Sequence, residues 1–273
     1  MSEPRPVQLS ILQDAPRLGP EDAFTFRCDP SLACFTRCCA DVAIVLTPYD
    51  VLRMKRALGL SSAEFLERYT ISPFTPEQKV PTVLLKMNPA DKRCPFVGGE
   101  GCRIYPHRPW ACRMYPLGLA APDKPTPADR AFYFLMREEI CEGHRAERTW
   151  TVRQWIQDQG LEEYDMMGAS FRELMLDPFW DSGQALAPNQ VDMYYMACYD
   201  LDRFRRFVFQ SRLLELFEVD EARVEALRSD DLELLEFAMG WLKFCLLHQK
   251  TMKIKPAVAE ARRQALRESG ALQ

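Results

Sequence analysis

The chain has 273 residues, 47% of them hydrophobic and 27% charged, with a formal net charge of −4. That length supports a sizeable core without covalent staples. The mildly acidic balance excludes a partner recruited by bulk positive charge, such as nucleic acid or an anionic membrane surface. What stands outside an ordinary composition is the count of ten cysteines, of which eight (Cys28, Cys34, Cys38, Cys39, Cys94, Cys102, Cys112 and Cys141) fall within 114 residues. Only Cys198 and Cys245 follow.

Residues 1–24 are Pro-rich and read as an extended arm. The stretch from Cys28 to Cys141 carries a net charge of +3 and residues 142–273 carry −6. Composition, cysteine use and charge sign all change near residue 145. The expected organisation is therefore an arm (1–24), a cysteine-cluster metal-binding domain (25–145) and a helical region (146–273). The N-terminus shows no secretory pattern and no run of about 18 apolar residues occurs, so a cytoplasmic protein without a membrane span is expected. Thiols stay reduced there, which favours metal ligation over disulfides.

Asp41–Leu46 is a short β-branched run and predicts a strand. Thr47-Pro48-Tyr49-Asp50 then combines an N-cap hydroxyl, proline at the first helical position and a carboxylate at the third. It predicts a helix to Leu58 that stops at Gly59. Ser61-Ser62-Ala63-Glu64 repeats the capping box and opens a helix to about Tyr69. Thr82–Met87 reads as a strand. Cys94–Val97 and Cys102–Tyr105 flank Gly98-Gly99-Glu100-Gly101, a hairpin signal that would bring Cys94 towards Cys102. Phe132–Met136 is a further strand candidate.

The rest is expected to be helical. Thr151-Val152-Arg153-Gln154 is a capping box, and Glu162-Glu163 and Asp230-Asp231 read as solvated helix starts. Asn189 can cap a long helix with an apolar face at Met193, Ala197, Leu201, Phe204 and Val208. Leu232, Leu235, Met239, Leu242 and Leu246 form a second stripe. Cys198 and Cys245 sit on these helices as small apolar residues, and the Tyr194, Tyr195 and Tyr199 group is expected to pack or to face a groove rather than bind a cofactor. Lys250–Arg267 reads as an exposed terminal helix. The fold class is α+β: a small cysteine-rich domain of short strands and helices, then an α-helical region.

The cysteine spacing is Cys-x5-Cys-x3-Cys-Cys, then Cys-x7-Cys-x9-Cys, then Cys141. Thiolates are soft ligands that select zinc, copper(I) or iron–sulfur clusters, and four complete either a tetrahedral zinc site or one [4Fe–4S] cluster. Eight could fill two sites, or one site plus reactive or structural extras. The paired Cys-x2-Cys knuckles of zinc fingers are absent. Adjacent Cys38 and Cys39 project differently, so they are expected to serve different metals, or only one of them to be a ligand. Arg37, Arg93, Arg103, Arg108 and Arg113 lie within a few residues of cysteines, where guanidinium groups favour thiolates. Among the three histidines, His144 is the best non-cysteine ligand candidate.

Phe26-Arg27-Cys28, Cys34, Cys38-Cys39, Cys94-Pro95-Phe96, Gly101-Cys102-Arg103-Ile104-Tyr105 and Arg108-Pro109-Trp110-Ala111-Cys112-Arg113-Met114-Tyr115-Pro116 together resemble the YkgJ-type cysteine-cluster family, the CxxCxxCC group of zinc- or iron-chelating domains. Cys141-Glu142-Gly143 is similar to that family's last cysteine. The first spacing is longer than the short form in the family's name. The resemblance implies metal or iron–sulfur binding. A similar branch includes flagellin lysine N-methylases, which use S-adenosylmethionine.

The expectation is an iron–sulfur protein, a [4Fe–4S] cluster ahead of zinc, with the eight cysteines as ligands and a role in redox, electron transfer or cluster-dependent catalysis. The helical region would cover the site or dock a protein partner. The alternatives are a protein lysine methyltransferase and a zinc-stabilised interaction module without catalysis. No Gly-rich dinucleotide fingerprint, P-loop, His-Glu-x-x-His pair or Gly-x-Ser-x-Gly elbow is present.

Overall fold

The computed structural model describes residues 16–73, 80–120, 131–183 and 185–268. It is α+β: short strands pair in two-stranded sheets and the C-terminal part is helical. By packing the chain divides into two units, each made of two segments. One comprises residues 1–46 and 84–167, the other 47–83 and 168–273. All eight clustered cysteines belong to the first. The helices of residues 47–83, which lie between cysteines in the chain, belong to the second.

In the first unit, Ala23–Thr25 pairs antiparallel with Thr149–Thr151, and Phe24 stands opposite Trp150. Leu18 bridges Tyr133. The end of the stretch read as an arm is thus tied down by its own backbone. The strand expected at Phe132–Met136 is present as Phe132–Leu135, and its partner is Leu117–Ala120. Gly118 faces Phe134 across that pair, where a Cβ would collide with the aromatic ring. The core is Phe24, Phe26, Met114, Leu117, Trp150, Val152, Trp155 and Leu161, with Cys141 and Tyr115 packed against it. Both tryptophans satisfy their ring N–H groups inside this core. Trp150 donates to the Phe26 carbonyl at 3.0 Å and Trp155 to the Met114 carbonyl at 3.2 Å. The Thr151 capping box opens the Val152–Asp158 helix, and Leu161–Met167 follows with Glu162 and Glu163 in its first turn.

The hairpin forms as read: Val97–Gly98 pairs with Gly101–Cys102. Gly101 takes φ +110°, which only glycine adopts cheaply. The strand expected at Asp41–Leu46 does not form. Val45 makes a single bridge to Leu84, and Leu85 N–H donates to the Ile44 carbonyl at 2.9 Å. The facing strand is only Leu84–Leu85, shorter than the expected Thr82–Met87, so the β-branched run lacks a partner along its length.

In the second unit the two capped helices lie where the sequence puts them, Pro48–Leu58 and Ser62–Tyr69. Each has a complete capping box, and Gly59 ends the first at φ 64°. The long helix Asp231–Leu247 is central. Pro48–Leu58, Ala169–Met175, Pro188–Cys198, Leu201–Gln210 and Glu221–Ser229 all pack on it. Two expectations change here. The helix assigned to an Asn189 cap starts at Pro188 with Ala187 as N-cap, because proline fits the first position and the Gln190 side chain accepts from the Ala187 N–H. It also ends at Cys198. Asp200 caps a separate helix, Leu201–Gln210, by accepting from the Arg203 N–H, so one apolar stripe is split over two helices.

Asp231 is not the solvated helix start that was expected. Its side chain is 13% exposed and meets Arg205, Arg56 and Lys55. Lys55, itself buried, bonds Asp202 at 3.0 Å, and Asp202 accepts the Ser62 N–H at 2.6 Å. Tyr194 and Tyr199 are buried with ring centroids 6.4 Å apart, packing as expected. Pro256–Glu268 forms the terminal helix.

Candidate metal centre

Residues 28–39 form a chain of tight turns. Ser31 and Leu32 N–H groups bond Asp29, Phe35 N–H bonds the Leu32 carbonyl, Arg37 N–H that of Cys34, and Cys39 N–H that of Thr36. Thr36 adopts φ 65° within this run. The turns gather cysteines that a strand or helix would spread along one face. Arg27 N–H then donates to the Gly143 carbonyl at 3.1 Å, which lays Cys28 beside the Cys141 segment. Gly143 is required at this crossing, since a Cβ would sit 2.5 Å from the Arg27 carbonyl oxygen and 2.8 Å from the Phe26 ring.

The result is a first thiol group. Cys28, Cys34, Cys38 and Cys141 line one small cleft together with Phe26, Tyr115 and Ile140. Glu142 N–H points at Cys34 Sγ from 3.3 Å, a donor suited to a thiolate. Loss of solvation, then the like charges of Cys38, Cys34 and Cys141, push the Cys28 thiol up to about 11. Tyr115, whose hydroxyl is raised by burial and then by its bond to Cys141, closes another side.

The other four cysteines of the series stand on other elements. Cys94 N–H donates to the Cys39 carbonyl at 2.8 Å, and the hairpin register brings Cys102 opposite Val97. Cys112 rides on the one-turn helix Trp110–Met114. The Cys39 thiol is raised by its bond to Cys38, by burial, and by the like charges of Cys38, Cys112 and Cys94. Cys94 is raised by burial and by Cys102, although the Phe96 N–H works the other way. Burial raises Cys102 too, against the Ile104 N–H and the Arg108 and Arg103 guanidinium groups. Cys38 lines the cleft and the next residue, Cys39, does not. Cys38 accepts from the Cys39 thiol, which brings it down to about 7.

Of the five arginines singled out near cysteines, Arg103 and Arg108 favour the Cys102 thiolate. Arg93 instead reaches the Thr36 hydroxyl at 3.4 Å. His144 does not line the cleft. Its Nε2 donates to the Met136 carbonyl at 3.0 Å, its ring lies 5.3 Å from Phe26, and its buried Nδ1 meets no partner among the described residues. Cys198 is fully buried in the helical unit, as expected of an apolar residue. Cys245 is half-buried there, and its thiol is pushed up to about 11 by burial. Tyr115 and Gly143 escaped the reading of the sequence as site residues. Both stand inside quoted motifs, but nothing in the linear pattern says that Tyr115 meets Cys141 or that Gly143 is where two backbones cross.

The donor type suits a thiophilic metal, and the first cleft gathers four thiols, the number for a tetrahedral ion or a cubane cluster. The side chains as placed do not close a coordination sphere. Among the described residues, no group of three or more His, Cys, Asp or Glu is arranged so that it could hold a metal ion. No helix among those residues is long and apolar enough to cross a membrane.

No curated protein and no solved structure matches the chain. A family model does match, over residues 27–146, and it is the one described as "CxxCxxCC: Putative zinc- or iron-chelating domain". That span contains all eight clustered cysteines and runs from the residue before Cys28 to Ala146, which caps the Gly143–Arg145 turn. The likeness read from the cysteine motifs therefore holds: residues 27–146, somewhat under half of the chain, are similar to the CxxCxxCC family.

Proposed function

We propose that this domain holds two thiolate-bound centres, one on Cys28, Cys34, Cys38 and Cys141 and one on Cys39, Cys94, Cys102 and Cys112. We further propose that both are iron–sulfur clusters of the [4Fe–4S] type working in electron transfer. The observation that carries the reading is the cleft that Cys28, Cys34, Cys38 and Cys141 line together, which leaves Cys39 and three other cysteines outside it. Four thiolates per group leave no open ligand position of the kind a hydrolytic zinc site keeps. Two centres joined through adjacent residues suit passage of an electron between them. Reduced thiols also belong in a reducing compartment such as the cytoplasm. The helical unit would dock the protein that gives or takes the electron.

The test is anaerobic purification followed by iron, sulfide and zinc analysis, with absorption and electron paramagnetic resonance before and after dithionite. Two clusters predict about eight irons per chain and a brown colour that reduction bleaches. A colourless protein with about two zincs keeps the two-site division, removes the redox role and leaves a zinc-stabilised interaction module. Dialysis against labelled S-adenosylmethionine addresses the methyltransferase alternative, and retention of that cofactor by the metal-loaded chain would displace the electron-transfer role.

A further inference from the structure

We propose that the helical unit carries a binding site for a small organic phosphate monoester, in a groove between the helices Leu201–Gln210 and Glu221–Ser229. Arg205, Arg206 and Arg228 hold the phosphate, and Phe209 takes the organic part. The site does not depend on what the cysteines bind.

Asp202, Arg205, Arg206, Phe209 and Gln210 recur at the three- and four-residue steps that place side chains on one helix face. With Arg228, from the last turn of the neighbouring helix, they line an open groove of about 330 Å³. Small-molecule sites commonly enclose about 300–1,000 Å³. A charged helix face is ordinarily just solvated, but here two of the three guanidinium groups are already held in place. Arg205 donates from Nε to the Leu227 carbonyl at 3.1 Å and pairs with Asp231. Arg228 lies 4.2 Å over the Phe209 ring, with its Nε 3.5 Å from Glu225. Ordering them before a ligand arrives removes part of the entropy cost of binding. The exposed Arg206 side chain makes no hydrogen bond or ion pair among the described residues, and neither does the Gln210 amide.

The charges of the lining residues and their partners do not cancel. Asp202 is held by the buried Lys55 at 3.0 Å, and Asp231 is shared by Lys55, Arg56 and Arg205. Glu225 meets Arg228. Five cationic side chains, Arg206 included, thus face three carboxylates. The surplus of two positive charges matches a phosphate monoester, which carries about −1.5 to −2 at neutral pH and offers three acceptor oxygens. A guanidinium fork meets two such oxygens at once. A carboxylate, with one charge and two oxygens, leaves one fork unanswered. The half-buried ring of Phe209 gives the ester's organic part an apolar wall, so a ring-bearing ester binds better than the inorganic ion.

The test is isothermal titration calorimetry of the full chain, at low ionic strength and in a phosphate-free buffer, with phenyl phosphate, inorganic phosphate, benzoate and a short single-stranded oligonucleotide. Phenyl phosphate is expected to bind most tightly, ahead of inorganic phosphate, and benzoate most weakly. Arg206→Gln is expected to weaken phenyl phosphate about 10- to 100-fold, the worth of hydrogen bonds to a charged group. Since Arg206 bonds nothing in the protein, R206Q is expected to melt as the wild type does. If it does not, Arg228→Gln on the other helix carries the same expectation. No heat from phenyl phosphate at millimolar concentration overturns the proposal, and so does an R206Q that binds it as the wild type does. Benzoate as tight as phenyl phosphate removes the phosphate assignment. An oligonucleotide bound more tightly than phenyl phosphate makes the groove a nucleic-acid surface and overturns the proposal as well.

Discussion

Cys38 and Cys39 share a peptide bond and a thiol–thiol hydrogen bond, yet they open onto different sulfur groups. Cys38 lines the cleft of Cys28, Cys34 and Cys141, whereas Cys39 lies in the field of Cys94 and Cys112. Successive side chains of an extended or turning chain point apart, so a Cys-Cys pair can serve two sites that each need four ligands. The two serines replacing single cysteines should therefore behave independently. Cys34→Ser is expected to halve the bound metal by emptying the first group, and Cys94→Ser to halve it by emptying the second. Metal analysis of each variant, with the double variant binding nothing, checks this. A single substitution that empties both sites would mean that the eight thiols act as one assembly.

Gly143 couples the first thiol group to the core. Its carbonyl accepts from Arg27 N–H, and the space where a Cβ would go is filled by the Arg27 carbonyl and the Phe26 ring. Gly143→Ala must push the Cys141 segment away from Cys28. The expected cost is about 1–3 kcal/mol of stability, as for overpacking of a tight contact, together with weaker metal binding at the first group and unchanged binding at the second. Chelator competition on C94S and C34S backgrounds separates the two.

The ion network of the helical unit should show in its acid stability. Burial raises Asp202 and Asp231. The Ser62 N–H and Lys55 outweigh this at Asp202, as Arg205 and Lys55 do at Asp231, and both carboxyls end below the usual carboxylate range. A carboxyl lowered by folding adds stability above its unfolded value of 3.8 and loses it as pH falls through the folded value. Urea midpoints should therefore be flat above that value, as far as these two groups are concerned, and should drop below it. Lys55→Met is expected to cost about 3 kcal/mol at neutral pH, the low end for breaking a buried pair, because Arg205 still faces both carboxylates. The same variant should show a shallower acid decline.

Thr47 holds the first turn of Pro48–Leu58. Its hydroxyl accepts the Asp50 N–H at 3.1 Å, and Asp50 Oδ2 accepts the Thr47 N–H at 2.8 Å. Thr47→Ala should cost about 1 kcal/mol, the usual value of a cap, and Thr47→Ser should restore most of it. Thermal melts of the three proteins decide the matter. An unchanged T47A melting temperature would mean that tertiary packing alone fixes the helix start.

Much of the site and of the local structure was readable along the chain. Capping boxes at Thr47, Ser61 and Thr151 act over three residues, and the glycine-rich turn between Cys94 and Cys102 acts over a few more. Such signals survive because the interacting atoms are already close in sequence. Failures came where a neighbour distant in the chain decides. Asp41–Leu46 has the composition of a strand but finds only a bridge to Leu84. The stripe from Met193 to Val208 keeps a helical period through Asp200, whose carboxylate instead starts a new helix. Asp231 resembles a solvated first turn until Lys55 and Arg205 are seen against it.

Composition and motif order thus established a thiol-rich segment among arginines, similar to a family of chelating domains, with two further cysteines set apart in helices. Those properties are properties of residue type, and folding does not alter them. Which four sulfurs share a cleft and which helices join the C-terminal ones were decided by contacts between residues tens of positions apart. Backbone bonds such as Arg27 to Gly143 and Cys94 to Cys39 make those choices. Their energies depend on distance in space, which no spacing along the chain records.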